Sequence, residues 1–178
     1  MLATRDIPLL VMPRMRRLVE ENLPWRDLVD RRNITPVTLA ADRPYQLDEY
    51  LTIEPIPVPH RDEHSETVAF RIVGPEHSLL FLPDIDSWED LDATGRSIED
   101  FIASVDVALL DGTFLDGEEL GGRNMAAIPH PTIRYTLDRL AALPQAEQEK
   151  VRFIHLNHTN RAESLDLPVV REGEIYPL

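Results

Sequence analysis

The sequence contains no cysteine among its 178 residues. Disulfide bonds, thiolate ligands and a cysteine nucleophile are therefore excluded, so a metal site in this chain would have to use histidine, aspartate or glutamate. A chain without disulfides suits a reducing compartment, and we expect a cytoplasmic protein.

Basic side chains are scarce. The chain has 18 lysines and arginines against 32 acidic residues, which gives a formal net charge of -14. The densest basic stretch, RMRR at 14–17, is followed at once by Glu20 and Glu21, so it indicates the solvated face of a helix. A surface of this charge repels phosphate backbones and anionic lipids. We therefore expect neither nucleic acid nor a membrane as a partner. The substrate is expected to be a small molecule.

Long apolar runs, internal repeats and low-complexity tracts are also absent from the sequence. IPLLVM at 7–12 is too short for a signal segment or a membrane span. No nucleophile elbow, phosphate loop or dinucleotide fingerprint occurs. The length suffices for one ordinary hydrophobic core, so we expect a single domain over residues 1–178.

Apolar runs bounded by turn residues predict the strands, and helical spacing of apolar residues predicts the helices. Pro13 and Ser97 are residue types suited to the start of a helix. The run at 78–83 is apolar throughout, so we expect burial on both of its faces. The order of elements predicts a mixed α/β fold. We expect strands within 7–12, 51–59, 67–73, 78–83, 105–110 and 151–156, and helices within 13–22, 97–104 and 131–142.

Polar clusters follow the predicted buried strands. In layered α/β proteins, the strand ends and the loops beyond them are the usual places for ligands. These clusters are therefore the candidates for a functional site. They are PHRDEHSE at 59–66, PDIDSWED at 83–90, DGTF at 111–114 and HLNHTN at 155–160, with IPHP at 128–131 opening a helix.

Each candidate residue also has a structural interpretation. His60 could be a surface turn residue, and Asp84 could cap the segment that follows it. His130 lies between two prolines, where a helix-entry role is the alternative. His158 is flanked by amide and hydroxyl side chains that could fix a metal-bound imidazole in one tautomer. His155 falls within the strand pattern and is interpreted as a packing or supporting residue.

Four segments, taken in order, resemble the metallo-β-lactamase fold superfamily, and within it the branch related to pyrroloquinoline quinone biosynthesis protein B. The similarity runs from residue 7 to residue 160. It implies an αββα sandwich with one or two divalent metals at one edge of two facing sheets. In this chain the sandwich is expected to be incomplete. The segments are VPHRDEHSETVAFRI, LLFLPDIDSWE, LLDGTFLDGEELGGRNMAAIPHP and FIHLNHTN.

The resemblance also implies the residues of the site. The single histidine, the aspartate and the late histidine of the superfamily match His60, Asp84 and His158, which are the predicted metal ligands. Asp111 and His130 match positions near the reaction centre, with His130 as a proton donor to a leaving group. Zinc is the expected metal, with iron and manganese as the alternatives.

The early H-x-H-x-D-H motif of the superfamily has no match, since the histidines stand at 60, 64, 77, 130, 155 and 158. The chain is therefore expected to be the C-terminal portion of the fold, with three donors left, the minimum for one open metal site. The resemblance implies a metal-dependent hydrolase that lacks full activity as this chain alone. An oxidative role like that of the quinone biosynthesis protein and a non-catalytic truncated remnant are the alternatives. An exposed sheet edge favours self-association or pairing with a missing N-terminal half.

Overall fold

A computed structural model of the chain describes residues 4–119 and 128–178. The predicted mixed α/β architecture is confirmed. A short 3-10 helix, Ala162–Leu165, follows the last strand. The elements in chain order are β1 (Ile7–Val11), α1 (Pro13–Glu21), α2 (Trp25–Asp30), β2 (Ile34–Thr38), β3 (Tyr45–Gln46), β4 (Thr52–Pro57), β5 (Val68–Val73), β6 (Ser78–Leu82), α3 (Trp88–Ala93), α4 (Ile98–Ala103), β7 (Val107–Asp111), α5 (Ile133–Leu140), α6 (Gln145–Gln148) and β8 (Val151–Ile154).

Several helices begin where the sequence carries a start signal. Pro13 opens α1, at a position where the missing N–H of proline costs no hydrogen bond. Ser97 caps α4 as predicted, because its side chain accepts a hydrogen bond from the backbone N–H of Asp100. Thr132 caps α5 in the same way. Local chemistry therefore fixes where these helices start.

The main sheet has six strands in the order β3-β4-β5-β6-β7-β8. Strands β4, β5 and β6 pair antiparallel, whereas β6, β7 and β8 pair parallel. Since two antiparallel steps restore direction, β4 runs the same way as β6, β7 and β8. The downstream ends of these four strands therefore lie at one edge of the sheet, which is where the polar clusters of the sequence follow them.

The larger core lies between one face of this sheet and the helices α3, α4 and α5. The sheet contributes side chains in register, such as Leu80 opposite Ala108 and Leu110 opposite Phe153. Among the fully buried helix residues is Trp88, whose indole Nε1 donates a hydrogen bond to the hydroxyl of Thr136 at 3.0 Å. This packing makes the sheet a rigid base for the loops at its edge.

A second, smaller core covers part of the opposite face of the sheet. Here the parallel pair β1-β2 lies against β3, β4 and β5, with Met12, Leu39 and Ile53 buried between them. Helices α1 and α2 contact β2. The layers thus follow the expected sandwich. Among the described helices, none combines the length and the apolar character needed to cross a bilayer.

The expectation that 78–83 is buried on both faces was wrong at one position. Leu80 and Leu82 are buried, but Phe81 is 39% exposed. Phe81 pairs with Phe70, which packs against the smaller core, so both lie on that face of the sheet. The smaller core covers Phe70 without extending over Phe81. An apolar run indicates a central strand but not how completely each face is covered.

Candidate metal centre

Four polar side chains meet at the sheet edge because four strands deliver them there. His60 follows β4, Asp84 follows β6, Asp111 is the last residue of β7, and His155 follows β8. His130 joins them from the segment before α5. The ring centroids of His60 and His130 are 5.6 Å apart, and those of His130 and His155 are 6.3 Å apart. Three imidazoles therefore surround the carboxylates at the end of the sheet.

Asp84 places a carboxylate oxygen in the centre of this group. Its Oδ1 is buried and accepts no hydrogen bond, although the side chain is 32% exposed through its other atoms. The Nε2 atom of His60 lies 3.3 Å from this oxygen, and the Nδ1 atom of His130 lies 3.5 Å from it. A buried carboxylate oxygen without a donor is costly unless a cation compensates it.

Asp86 orients the imidazole of His60. The Nδ1 atom of His60 lies 2.9 Å from a carboxylate oxygen of Asp86, and a carboxylate can only accept, so Nδ1 carries the proton. In the neutral ring with this tautomer, the Nε2 atom presents a lone pair toward Asp84. The backbone N–H of Asp86 also donates to the carbonyl of Pro59 at 2.8 Å, which ties the two loops together. Nε2 of His60 and Oδ1 of Asp84 thus face each other, 3.3 Å apart.

Thr113 sets the tautomer of His155 by the same logic. Its hydroxyl donates to Asp111 Oδ1 at 2.7 Å, so its oxygen can only accept from the Nδ1 atom of His155, 3.1 Å away. The Nε2 atom of His155 is left free. His155 has a positive φ of 60°, so the chain turns sharply as soon as β8 ends. This turn places the ring of His155 near Asp84 and Asp111 at the sheet edge.

Asp111 is fully buried, and both of its oxygens are saturated. Oδ1 accepts from the backbone N–H and the hydroxyl of Thr113, at 2.9 and 2.7 Å. Oδ2 accepts from the backbone N–H of Ile85 at 3.1 Å and from Nδ1 of His130 at 2.8 Å. Asp111 therefore acts as a structural acceptor that joins three segments, and it holds His130 with Nε2 free.

The pKa of His130 lies above its ordinary value of 6.5. Burial of the ring lowers the pKa, but the hydrogen bond to Asp111 and the negative charges of Asp111, Asp84 and Asp86 outweigh burial. The carboxylates around the ring therefore favour its protonated form.

The donor set fits a divalent metal. Among the described residues, Asp84, Asp111 and His155 have candidate ligand atoms that all lie within 4.8 Å of one another. Four donors already occupy the oxygens of Asp111, which leaves Oδ1 of Asp84 and Nε2 of His155 as the open ligand atoms of this group. His60 is outside the group, but its Nε2 lies 3.3 Å from Oδ1 of Asp84 and is a third candidate ligand atom. Histidine and carboxylate donors of this kind bind zinc, iron and manganese.

A protein-family model described as a beta-lactamase superfamily domain matches residues 1–156. The chain belongs to the beta-lactamase superfamily.

Several solved structures of the same fold are similar to this chain at low sequence identity. Zn2+-bound PqqB from Methylobacterium extorquens is 18% identical with a TM-score of 0.71, and the match covers 97% of this chain and 65% of that one. A diphosphatase from the PhnP family is 15% identical with a TM-score of 0.61, covering 97% and 60%. YhfI from Bacillus subtilis, a metallo-beta-lactamase fold protein, is 14% identical with a TM-score of 0.59, covering 96% and 65%. A search of the curated proteins found no match.

These likenesses show the fold alone, because the identities are low. The superfamily member described here spans 60% to 65% of the length of the three solved chains. What those proteins bind or do is therefore not carried over by the fold.

Four of the five predicted site residues of this superfamily member come together. His60, Asp84, Asp111 and His130 are in mutual contact at the sheet edge. His158 is exposed, and within the described ranges it makes no hydrogen bond, ion pair or ring contact. Its assignment as a metal ligand stays a prediction. The part of the third motif at 120–127 lies outside the described residues.

The asparagines of HLNHTN have a different role from the predicted one. The side chain of Asn160 donates to the carbonyls of Gly112 and Thr113, at 2.7 and 3.2 Å. The backbone N–H of Asn157 donates to the carbonyl of Thr113 at 3.0 Å. These contacts hold the loop after β7 and do not orient the ring of His158.

Sequence reasoning did not single out Asp86 and Thr113, and it interpreted His155 as a packing or supporting residue. Asp86 stood next to a candidate in the motif PDID, and Thr113 stood in DGTF. An acceptor two residues beyond a candidate residue was the available signal in both motifs. Such an acceptor can be recognised as a positioning residue only when the histidine that it contacts is known, and that histidine follows a different strand.

Proposed function

We propose that this superfamily member is a metal-dependent hydrolase whose metal is held by His60, Asp84 and His155. The observation that carries the proposal is the buried Oδ1 of Asp84, which accepts no hydrogen bond and lies 3.3 Å from the free Nε2 of His60. Three histidines with Nδ1 tied to acceptors and Nε2 left free support a site built for a cation.

A divalent metal bound there, with zinc as our first choice, would lower the pKa of a bound water and polarise an acceptor oxygen of the substrate. The remaining chemistry belongs to side chains of the protein. Asp86 and Thr113 orient the rings of His60 and His155 and select the tautomer in which Nε2 of the neutral ring is the ligand nitrogen. Asp111 holds His130 so that its Nε2 faces away from the carboxylate that fixes Nδ1. In this arrangement His130 delivers a proton from Nε2 to the leaving oxygen.

A phosphate ester is the substrate class that we favour. Asp84, Asp86 and Asp111 make the site negative, so a phosphoryl group can enter only where a bound cation offsets their charge. The fold likeness to a PhnP-family diphosphatase agrees with this chemistry, although it does not carry it.

The test begins with metal binding. Metal-free protein titrated with Zn2+ should bind about one ion per chain, since three donors make one open site. His60→Ala, Asp84→Asn and His155→Ala should each abolish binding, whereas His158→Ala is the matched control and should leave it unchanged. Loss in His158→Ala with retention in His155→Ala would contradict our ligand set and favour the one implied by resemblance.

The activity test uses a chromogenic phosphodiester. The zinc-loaded protein should hydrolyse it faster than the metal-free protein. His130→Ala should lower the rate about 100-fold while leaving zinc affinity unchanged, because a proton donor contributes to the transition state and not to the metal. If the zinc-loaded protein shows no turnover, the hydrolase proposal fails, and the chain is better described as a non-catalytic, metal-binding remnant of the superfamily.

A second candidate is a role like that of PqqB, which is suggested by the resemblance of the sequence motifs to the pyrroloquinoline quinone branch; the Zn2+-bound form of that protein has the same fold. Such a role would involve oxidation of a tyrosine-derived precursor and would favour iron at the same ligands. Iron-loaded protein that consumes oxygen only in the presence of a tyrosine-derived substrate, without phosphodiester turnover, would support this candidate over the hydrolase.

A further inference from the structure

The segment from Val58 to Thr67, which we call the His60 loop, connects β4 and β5. Its last acidic residue, Glu66, contacts the start of helix α1. The two oxygens of Glu66 accept from the backbone N–H of Arg14 at 2.9 and 3.0 Å, and one also accepts from Met15 at 3.3 Å. Helix α1 has no side-chain cap of its own, so Glu66 supplies one from a distant part of the chain.

The contact is reciprocal, because Arg14 donates back to the His60 loop. Its guanidinium Nη2 donates to the carbonyl of Asp62 at 2.5 Å and to the carbonyl of Glu63 at 3.0 Å. The pKa of Glu66 lies below its ordinary value of 4.5: burial raises it, but the backbone N–H groups of Arg14 and Met15 and the charge of Arg14 outweigh burial. Hydrogen bonds to the carboxylate of Glu66 and from the guanidinium of Arg14 therefore hold helix α1 and the loop together.

The other side of the His60 loop is held by the segment after β6. Asp86 accepts from Nδ1 of His60 at 2.9 Å, and its backbone N–H donates to Pro59 at 2.8 Å. The loop thus lies between α1 on one side and Asp86 on the other. His60 lies in the part of the loop that Asp86 holds, two residues before the carbonyl of Asp62 to which Arg14 donates.

We propose that Glu66 and Arg14 are positioning residues that clamp the His60 loop so that the imidazole of His60 faces Asp84. The importance of this clamp for a metal rests on the proposed function, but the clamp itself does not. A ligand must be held within about 0.5 Å of its working position, and loops reach that precision only when outside contacts restrain them. Helix α1 provides the restraint, and this assigns a function to a basic stretch that the sequence indicated only as solvated surface.

Amide hydrogen exchange in the metal-free protein tests the clamp. The variant is Glu66→Ala, with Glu66→Gln as a milder second variant and Glu76→Ala, in an exposed turn, as the matched control. The reporter is the amide of Asp86, which donates to the carbonyl of Pro59 in the loop. We expect this amide to exchange about tenfold faster in Glu66→Ala, which corresponds to about 1.4 kcal/mol, to change less in Glu66→Gln, and to keep its rate in the control.

If only the amides of Arg14 and Met15 exchange faster, Glu66 is a helix cap and nothing more, and the proposal is overturned. The same applies if the Nδ1–H resonance of His60 keeps its chemical shift in Glu66→Ala. Arg14→Lys is an independent check, because a lysine ammonium lacks the planar set of N–H donors with which Arg14 contacts two carbonyls. This variant should also accelerate amide exchange at Asp86.

Zinc affinity provides the second arm. Glu66→Ala should weaken binding of Zn2+ about three- to tenfold, because the clamp holds His60 in position, whereas the control Glu76→Ala should leave the affinity unchanged. Equal zinc affinity in the wild-type protein and in Glu66→Ala would contradict the proposal. If the wild-type protein binds no zinc, the proposed function fails, while the exchange arm still decides whether the clamp exists.

Discussion

Asp111→Asn is the sharpest test of how the site is built. Asp111 is fully buried and accepts four hydrogen bonds, from the backbone N–H groups of Thr113 and Ile85, from the Thr113 hydroxyl and from His130. Asparagine keeps the shape but replaces one acceptor oxygen by a donor. Whichever oxygen is replaced, a backbone N–H from either Thr113 or Ile85 faces another donor and loses its partner.

The size of the effect follows from that count. A buried donor left without a partner costs about 1–3 kcal/mol, and the remaining bonds weaken because bonds to a charged acceptor are stronger than bonds to a neutral one. The neutral amide is cheaper to bury, which offsets part of this cost. We expect the free energy of unfolding to fall by about 3 kcal/mol, which lowers the melting temperature by about 6–12 °C for a chain of this size.

Urea denaturation of the metal-free protein measures this change, with the slope of the transition as a check on two-state behaviour. Asp106→Asn is the control. Asp106 also accepts a backbone and a side-chain hydrogen bond from one residue, Ser78, both at 2.8 Å, but it is exposed to water. The control should therefore cost much less. A loss below about 1 kcal/mol for Asp111→Asn, with an unchanged slope, would refute the view that Asp111 is a saturated structural acceptor.

Three further predictions concern the helices around the sheet. Trp88→Phe should lower the free energy of unfolding in urea by about 2 kcal/mol, because it removes buried volume and the hydrogen bond to Thr136. Ser97→Ala should cost about 1 kcal/mol in the same assay, through loss of the α4 cap. The hydrogen bond from Arg139 holds the pKa of Glu99 below its ordinary value of 4.5. The stabilisation from Glu99 is therefore present above that pH and lost as the pH falls through the lowered pKa, so the melting temperature should drop between about pH 5 and pH 3, and Arg139→Gln should flatten the drop.

Most of the elements could be predicted because their signals are local. Pro13 and Ser97 start helices where the sequence indicated, and the apolar runs at 78–83 and 105–110 contain β6 and β7. Helices α2, α3 and α6 and strands β2 and β3 were not predicted. Strand β2 is stabilised by parallel pairing with β1, in which Ile7 lies opposite Ile34, and such a non-local partner leaves no periodic pattern in a short segment.

The location of the site could be predicted for a related reason. Strands of common direction end at one sheet edge, so residues that follow buried strands converge there even when they are far apart in sequence. His60, Asp84 and Asp111 met this condition and lie together. The positioning contacts were not predictable, because each joins a residue of one loop to a residue of another.

HLNHTN shows where prediction from sequence stops. Side chains alternate between the two faces of a strand. If β8 continued through His155, the ring of His155 would lie on one face of the sheet, and His158 would be the histidine at the sheet edge. The strand ends at Ile154, and a positive φ at His155 redirects the chain at that point. Such a conformation costs a non-glycine residue about 1–2 kcal/mol, so it persists only where other contacts compensate. The hydroxyl of Thr113 provides one such contact, and it comes from the loop after a different strand. The position of the His155 ring, on which our proposed ligand set rests, therefore depends on a backbone angle and a distant hydroxyl, neither of which is encoded in the local pattern of the segment.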